Sequence, residues 1–295
     1  MTSADPLVDE PRTAPRAGRA STAVDLHARE TPGHATRVEH ALDVLQQAAA
    51  RHAGRIVQAT SLGAEDMVIT DLIARHRLPI SIGTLQTGML HAETTAMIGR
   101  IEQRYGLAVE VCEPQHESIV DFVGTHGERA MYQSIELRKH CCAIRKLEPL
   151  ARLLAGRSAW VTGLRREQSD GRSAVAFGAP DEQGRSKINP LADWTLADVW
   201  HYIASHGVPY NPLHDAHFPS IGCAPCTRAV AVGEDFRAGR WWWENESDKE
   251  CGLHSSPHST AVSAAGTSRS QSTGELVPAR VAVGPDLSIT SGTPA

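Results

Sequence analysis

The chain alternates between short apolar runs and longer segments whose apolar residues recur at helical spacing. Runs such as "RIVQAT" are typical of buried strands, whereas "EDMVITDLIARH" gathers its apolar residues on one side of a helix. This alternation predicts an α/β fold, in which helices cover both faces of a parallel sheet and the active site lies at the carboxyl ends of the strands. The predicted strands are 55–60, 78–85, 107–112 and 158–164, and the predicted helices are 65–76, 92–106, 143–156 and 195–207.

Both ends of the chain lack the periodicity of packed elements. Residues 1–35 are rich in Ala, Thr, Pro and charge, and residues 255–295 are rich in Ser, Thr, Gly and Ala without any aromatic residue. Such compositions bury too little apolar surface to offset the entropy lost on folding. We therefore expect disordered tails at 1–35 and 255–295 around one domain, 36–254, whose last segment from about 240 is mobile.

Composition argues against several classes of protein. The net charge of −5 gives no overall attraction to nucleic acids or anionic membranes, so an anion site must come from local Arg and Lys. The chain has no run of about 18 apolar residues and no secretory signal pattern, which favours a cytoplasmic protein without a membrane partner. Six cysteines are too few for a disulfide scaffold and would be thiols or metal ligands in a reducing compartment.

Two loops after predicted strands have features of a phosphate site. "TSLGAED" (60–66) enters the first helix, and Gly63 allows backbone N–H groups to face a phosphate at the helix N-terminus. The loop lacks the Gly-Lys-Ser/Thr ending of a Walker A motif. Glu65 and Asp66 fit either a ligand-binding role or a purely structural role at the positive end of the helix. "LQTGMLHAET" (85–94) follows the next strand in the equivalent place.

Arginines cluster in two further segments. "TGLRREQSDGRS" (162–173) follows a strand and contains Arg165, Arg166 and Arg172, and guanidinium groups bind phosphate or sulfate bidentately. The alternative is a solvated surface loop. "EDFRAGRWWWEN" (234–245) adds Arg237 and Arg240 ahead of three tryptophans, of which one or two are expected in the core.

Four of the cysteines have the spacing of metal ligands. "GCAPC" contains Cys223 and Cys226, and the adjacent Cys141 and Cys142 bring the total to four. Four thiolates are the ligand set of a [4Fe–4S] cluster or a structural zinc. Zinc ribbons normally repeat C-x-x-C twice, so the adjacent pair favours the cluster.

The other two cysteines have different settings. Cys112 lies in an apolar strand and is expected to be a small buried hydrophobic residue. Cys251 lies in "SDKECGLH" beside Lys249 and His254. Because nearby cations and exposure favour the thiolate, Cys251 is the candidate nucleophile.

The segments "SLGAED", "CCAIRK", "TGLRREQS", "SIGCAPCT" and "KECGLH", in this order, closely resemble those of the assimilatory adenylyl-sulfate (adenosine 5′-phosphosulfate) reductases. This family is related to the phosphoadenylyl-sulfate reductases within the PP-loop superfamily. The resemblance covers about residues 40–254 and implies a Rossmann-like fold of the adenine nucleotide alpha hydrolase type. One position departs from the family pattern, because Gln86 stands where Asp is usual.

The resemblance also implies roles for individual residues. Lys146 would link the cluster to the substrate sulfate, Arg237 and Arg240 would clamp the phosphosulfate, and Cys251 would be the nucleophile. The implied ligands of a [4Fe–4S] cluster are Cys141, Cys142, Cys223 and Cys226. The implied substrate-binding residues are Ser61, Gly63, Glu65, Asp66, Thr87, Gly88, Arg165, Arg166 and His254.

In the reaction that the family implies, the Cys251 thiolate attacks the sulfur of adenosine 5′-phosphosulfate and AMP leaves. Arg and Lys side chains would neutralise the charge on the leaving phosphate. Thioredoxin or glutaredoxin would then release sulfite from the S-sulfocysteine. The sequence also allows a homo-oligomer.

Three alternatives remain. A 3′-phosphoadenosine 5′-phosphosulfate reductase, or an enzyme that accepts both substrates, would use the same chemistry, although such enzymes typically lack the four cluster cysteines. An adenylating PP-loop enzyme typically carries Ser-Gly-Gly-x-Asp-Ser, which "SLGAED" does not match. A zinc-stabilised nucleic-acid-binding protein could use four cysteines too, but the net acidity argues against it.

Overall fold

The core of the protein is a six-stranded sheet with the order β3-β2-β1-β4-β6-β5. The computed structural model describes residues 21–231 and 233–244. All neighbouring strands are parallel except β5, which pairs antiparallel with β6. The strands are β1 (Ile56–Thr60), β2 (Ser81–Leu85), β3 (Val109–Cys112), β4 (Ala159–Val161), β5 (Gly178–Pro180) and β6 (Ser186–Ile188).

The α-helices of the described residues are α1 (Ala23–His27), α2 (His34–Arg51), α3 (Ala64–Arg75), α4 (Ala92–Tyr105), α5 (His116–His126), α6 (Ile135–Cys142), α7 (Glu148–Leu153) and α8 (Leu196–His206). The predicted N-cap of α8 is confirmed, because Thr195 Oγ1 accepts the Asp198 N–H at 3.1 Å. The predicted end of α4 is also confirmed, because Gly106 adopts the left-handed φ of 67° that favours glycine. Here, local sequence determines where the helices begin and end.

Helices cover both faces of the sheet, as predicted. Consecutive residues of β1 point to opposite faces, so Ile56 joins the large core cluster that contains residues of α2, α3, α4 and α8. Val57 joins a second cluster, in which Leu153 and Leu154 at the end of α7 pack on Trp160. The central strands are therefore buried on both sides, and polar strand residues such as Gln58 and Thr84 are buried as well.

The expected N-terminal boundary at residue 35 is wrong within the described part of the chain. Residues 23–27 form helix α1, with Thr22 as N-cap. Ala23 is 2% exposed, and its N–H donates to Asp215 at 2.7 Å. Ala23 and Val24 also pack on the large core cluster, so α1 is tied to the domain by contacts that are distant in sequence. Residues 1–20 and 245–295 lie outside the described residues.

The strand order creates a crevice between β1 and β4. The chain runs from β1 to β2 and β3 on one side, then returns with β4 to the other side of β1. The loops that follow β1 and β4 therefore leave the sheet in opposite directions, which is the usual place for a nucleotide in an open α/β sheet. None of the described helices has the length and apolar character needed to cross a membrane.

Candidate active site

A cavity of about 210 Å³ lies at the carboxyl ends of β1, β2 and β4. Its walls come from the loops after these three strands and from two later segments, 219–222 and 236–241. The predicted site residues that line it are Ser61, Gly63, Glu65, Asp66, Thr87, Lys146, Arg237 and Arg240. The fold therefore brings together residues from both ends of the domain.

Ser61 and Asp66 define the loop after β1. Asp66 Oδ2 accepts hydrogen bonds from the Ser61 N–H and from Ser61 Oγ, both at 2.6 Å. Leu62 has a φ of 62°, so the loop makes a tight turn before Gly63 starts α3. Burial raises the pKa of Asp66 to about 6, although the bonds from Ser61 act in the opposite direction. The Asp66 carboxyl is thus part of the loop's architecture.

Glu65, which lines the cavity, forms an ion pair with Arg165, which does not. Arg165 Nη2 lies 3.0 Å from Glu65 Oε1, and Gln168 donates to the same oxygen at 3.0 Å. Burial alone would raise the pKa of Glu65, but the Arg165 guanidinium and Gln168 outweigh it and hold this pKa below its usual value. Arg165 also donates to Glu167 and to the Trp194 carbonyl, and it is 1% exposed.

The structure does not bring Arg165 or Arg166 to the cavity wall, and their expected contact with the nucleotide stays a prediction. The donors of Arg165 are used by its carboxylate and carbonyl partners, and neither arginine lines the cavity. Arg166 instead donates to the Val175 carbonyl at 2.9 Å. The third arginine of this loop, Arg172, does line the cavity, and it donates to Gln168 at 2.7 Å.

Gly163 allows the loop after β4 to approach α3. A Cβ at this position would lie 2.6 Å from Asp66 Oδ1 and 2.9 Å from Glu65 Cβ. No side chain fits at these distances, so glycine is required by close approach. Sequence reasoning missed this residue, although the Thr-Gly pair directly after an apolar strand was a possible signal.

In the loop after β2, Thr87 lines the cavity and also contacts Cys223. Thr87 is 2% exposed, and its Oγ1 lies 3.3 Å from Cys223 Sγ, while Gly88 has a φ of 70°. Gln86 accepts the Gly88 N–H at 3.2 Å and donates to Thr95 Oγ1 at 3.2 Å. Gln86 and Gly88 do not line the cavity, so Gln86 supports the turn from outside and Gly88 serves its backbone shape.

Arg237 and Arg240 place two almost buried guanidinium groups in the cavity wall. They are 8% and 7% exposed. Arg240 reaches neutral oxygens only at the limit of hydrogen bonding, Ser220 Oγ and the Ile221 carbonyl at 3.5 Å each. Gly222 makes room for it, because a Cβ there would lie 2.4 Å from the guanidinium. Such a wall favours an anionic ligand.

A second, smaller cavity lies beside the first, and the four cysteines line it together. Cys141 and Cys142 come from the end of α6, whereas Cys223 and Cys226 flank one short turn. The pKa of Cys226 is raised to about 12. Burial is the main cause of this rise, and the neighbouring Cys223 is the second. Burial also raises the pKa of Cys141, while Arg145 acts to lower it.

The helix after the cysteine pair widens into a π-helical turn, Ala143–Leu147, before α7 continues. Within this turn Arg145, which is 7% exposed, donates to the Thr87 carbonyl at 2.7 Å. Lys146 lines both cavities, as Trp241 does. Single π-helical turns inside α-helices are often found at functional sites. Arg145 and Trp241 were not assigned from the sequence, although the basic residues around the cysteine pair indicated charge at this place.

The four thiols of the second cavity have the chemistry of metal ligands. No three His, Cys, Asp or Glu side chains in residues 21–231 and 233–244 form a group that could hold a metal ion. The four thiols instead surround one cavity. A ligand set made of sulfur alone suits an iron–sulfur cluster, and metals deprotonate the thiols that coordinate them. The donor set is therefore of the type that holds an iron–sulfur cluster.

Cys112 does not line the thiol cavity. Cys112 packs against Leu153 and Trp160, as expected for a small hydrophobic residue. Burial raises its pKa. Cys251 and His254 lie outside the described residues, so their roles stay predictions.

Fold and site together define an α/β protein with a cavity walled by buried arginines next to a cavity lined by four thiols. Residues 55–229 match the model of the phosphoadenosine phosphosulfate reductase domain. The chain belongs to this reductase family and is an oxidoreductase.

Two curated relatives are named adenosine 5′-phosphosulfate reductase. The protein of Allochromatium vinosum is 55% identical over 220 residues, covering 74% of this chain and 86% of the relative. The protein of Burkholderia cepacia is 53% identical over 225 residues, covering 76% and 90%. Among solved structures, the phosphoadenylyl-sulfate reductase of Candida auris in complex with phosphate superposes with a TM-score of 0.55 at 26% identity, covering 69% of this chain and all of that one.

Proposed function

We propose that this chain reduces adenosine 5′-phosphosulfate to sulfite and AMP in sulfate assimilation in the cytoplasm. The observation that carries the proposal is the pair of adjoining cavities, which share Lys146 and Trp241 as walls. One cavity has a nucleotide-type loop and buried arginines, and the other has four thiols. The names of the curated relatives support the same substrate.

The phosphosulfate is the part of the substrate that the charged wall suits. Lys146 lies where the cavity adjoins the thiols, and Arg240 lies 4.6 Å from the ring of Trp241 in the shared wall, whereas Ser61 and Gly63 lie at the end of β1. We place the AMP phosphate and the sulfate between these two groups. The cations then lower the barrier for an anion that attacks an anion, because they stabilise the charge that collects on the leaving phosphate.

Cys251 is proposed as the nucleophile. Its thiolate attacks the sulfate sulfur, a sulfur–sulfur bond forms, the bond between sulfur and the phosphate oxygen breaks, and AMP leaves with the electron pair. The product on the enzyme is S-sulfocysteine. A thiolate of reduced thioredoxin then attacks Cys251 Sγ and expels sulfite, and its second thiol resolves the mixed disulfide. The two electrons thus come from the thioredoxin dithiol.

A [4Fe–4S] cluster is proposed at Cys141, Cys142, Cys223 and Cys226. When bound, it would supply a cross-link between the two cysteine segments and a local charge next to Lys146. Two neighbouring side chains contact the proposed ligands: Thr87 contacts Cys223, and Arg145 contacts Cys141. The proposed role is structural and electrostatic.

The experiment compares anaerobically purified protein with its Cys251→Ser variant. We expect the variant to bind adenosine 5′-phosphosulfate and keep its iron, but to form no sulfite with thioredoxin. Cys112→Ser is the matched control, because Cys112 itself lines neither cavity, and it should keep its activity. Appreciable thioredoxin-dependent turnover by Cys251→Ser would contradict the mechanism.

Substrate choice is tested separately by steady-state kinetics with adenosine 5′-phosphosulfate and its 3′-phosphorylated form. We expect a clearly higher kcat/KM for the substrate without the 3′-phosphate. Equal values would instead indicate the enzyme that accepts both substrates.

A further inference from the structure

Arg138 and Glu244 form a buried ion pair between segments that are far apart in sequence. Arg138 lies on α6, one turn before Cys141, and Glu244 follows the three tryptophans. Arg138 Nε donates to Oε1 at 2.9 Å, and Nη2 donates to Oε2 at 2.6 Å. The two side chains are 0% and 3% exposed. The contact is therefore bidentate and almost fully desolvated.

Stability alone does not account for such a pair. Removing both charges from water costs about as much as their attraction returns, and an apolar pair of similar volume is often as stable. A bidentate guanidinium–carboxylate contact does fix the distance and the orientation of the two segments that it joins. The pair therefore points to a need for defined geometry at this place.

Trp241 is the residue on which this geometry acts. The guanidinium of Arg138 lies 4.7 Å from its ring centroid, and that of Arg240 lies 4.6 Å away. Trp241 has a φ of 41°, a backbone shape that is costly for a bulky residue unless its surroundings impose it. The backbone N–H of Trp241 donates to the Cys226 carbonyl at 3.3 Å. The Trp241 wall is thus held from the Cys226 side and from α6.

We propose that Arg138, through Glu244 and Trp241, is a positioning residue that sets the place of Arg240 in the substrate cavity. This proposal rests on the proposed function. Because Arg240 lies in the charged wall of the cavity, the loss of Arg138 should affect binding of the sulfate end of adenosine 5′-phosphosulfate. Arg138 itself does not line that cavity, although it lines the thiol cavity. Its effect on the substrate is therefore indirect.

The test measures the Kd of adenosine 5′-phosphosulfate and of AMP by calorimetry, in iron-loaded protein that carries Cys251→Ser. A misplacement of about 1 Å caused by a remote mutation can cost about 100-fold in rate, and we expect a smaller effect on the binding of the group that Arg240 contacts. We expect Arg138→Met to raise the Kd of adenosine 5′-phosphosulfate by about tenfold and that of AMP by less than about threefold. Arg138→Lys keeps the charge but loses the fork, and it should fall between parent and Arg138→Met.

The matched control is Arg228→Met. Arg228 also forms a bidentate pair, with Glu234 at 2.8 and 2.7 Å, but on the surface. Both Kd values should stay within about twofold of the parent, as for other surface changes. A merely structural role of Arg138 would lower the melting temperature without changing the ratio of the two Kd values.

Glu244→Gln keeps the test decisive if Arg138→Met fails to fold. It removes the carboxylate charge with little change in shape, and it should shift the same ratio in the same direction. An unchanged ratio in every folded variant of Arg138 and Glu244 would overturn this inference. Failure of the parent to bind adenosine 5′-phosphosulfate would instead overturn the proposed function, so the two failures are distinguishable.

Discussion

Ser61 and Asp66 are joined by two hydrogen bonds of 2.6 Å across the turn that starts α3. Asp66 is 5% exposed, and burial raises its pKa to about 6 from an ordinary value of 3.8. The buried carboxyl therefore favours its protonated form more strongly than it does in the unfolded chain.

The raised pKa predicts a pH-dependent stability. A raised folded-state pKa contributes stability that is complete below about pH 4 and is lost as the pH rises through about 6. From pH 5.5 to pH 8, this group should lower the free energy of unfolding by about 1 kcal/mol. Asp66→Asn can still accept from Ser61 but does not titrate. Urea unfolding at both pH values should show a smaller decrease in this variant, and an equal decrease would refute the assignment.

Gly163 and Gly171 give a matched pair of glycine substitutions in one loop. A Cβ at Gly163 would collide with Asp66 and Glu65, whereas nothing lies within 4 Å of one at Gly171. We expect Gly163→Ala to destabilise the protein by about 1–3 kcal/mol, the usual cost of overpacking, and to weaken AMP binding. Gly171→Ala should stay within about 0.5 kcal/mol of the parent. Thermal melts and calorimetry with AMP measure both effects, and similar behaviour of the two variants would contradict the close approach.

Arg165 and Arg172 should differ in what their loss affects. Arg165→Met leaves Glu65 without its cation in the cavity wall, and breaking a buried pair from one side costs about 3–5 kcal/mol. Arg172→Met removes a charge that faces the cavity. It should raise the KM for adenosine 5′-phosphosulfate several-fold and destabilise the protein less than Arg165→Met does, because the hydrogen bond that it loses to Gln168 is worth about 0.5–1.5 kcal/mol.

These two outcomes can be separated by measuring unfolding and kinetics on the same preparations. A large increase in KM for Arg165→Met at unchanged stability would show that Arg165 binds substrate after all.

The four cysteines of the thiol cavity should be needed together for iron. Cys223→Ser removes a ligand next to Thr87, so we expect loss of most iron and acid-labile sulfide. Cys112→Ser keeps all four cavity thiols and should retain both. Iron and sulfide analysis with visible absorption measures this difference. Zinc without iron or sulfide in the parent would contradict the cluster.

The sequence predicted the parts of this molecule that depend on local pattern. Strand β1 lies within the predicted strand 55–60, and the ends of α4 and α8 follow from Gly106 and Thr195. The grouping of Cys141 with Cys223 could also be expected, because four soft ligands with metal-type spacing share few other purposes. In each case the signal lies in the segment itself.

Residues whose roles depend on distant partners were predicted less well. Arg165 was expected to bind phosphate, yet its partner Glu65 is 100 residues away. A guanidinium that neutralises a buried carboxylate looks the same in sequence as one that awaits an anion. The ion pair between Arg138 and Glu244 spans 106 residues, and it has no local signature at all.

The wall that the two cavities share has a thermodynamic consequence. Because Lys146 and Trp241 belong to both, a change of occupant on one side alters the surface offered on the other. Coupling between two binding equilibria is reciprocal. If losing iron weakens nucleotide binding by some factor, then bound nucleotide must tighten the hold on iron by that same factor. Resistance of the iron to a chelator would then report on nucleotide occupancy without any turnover.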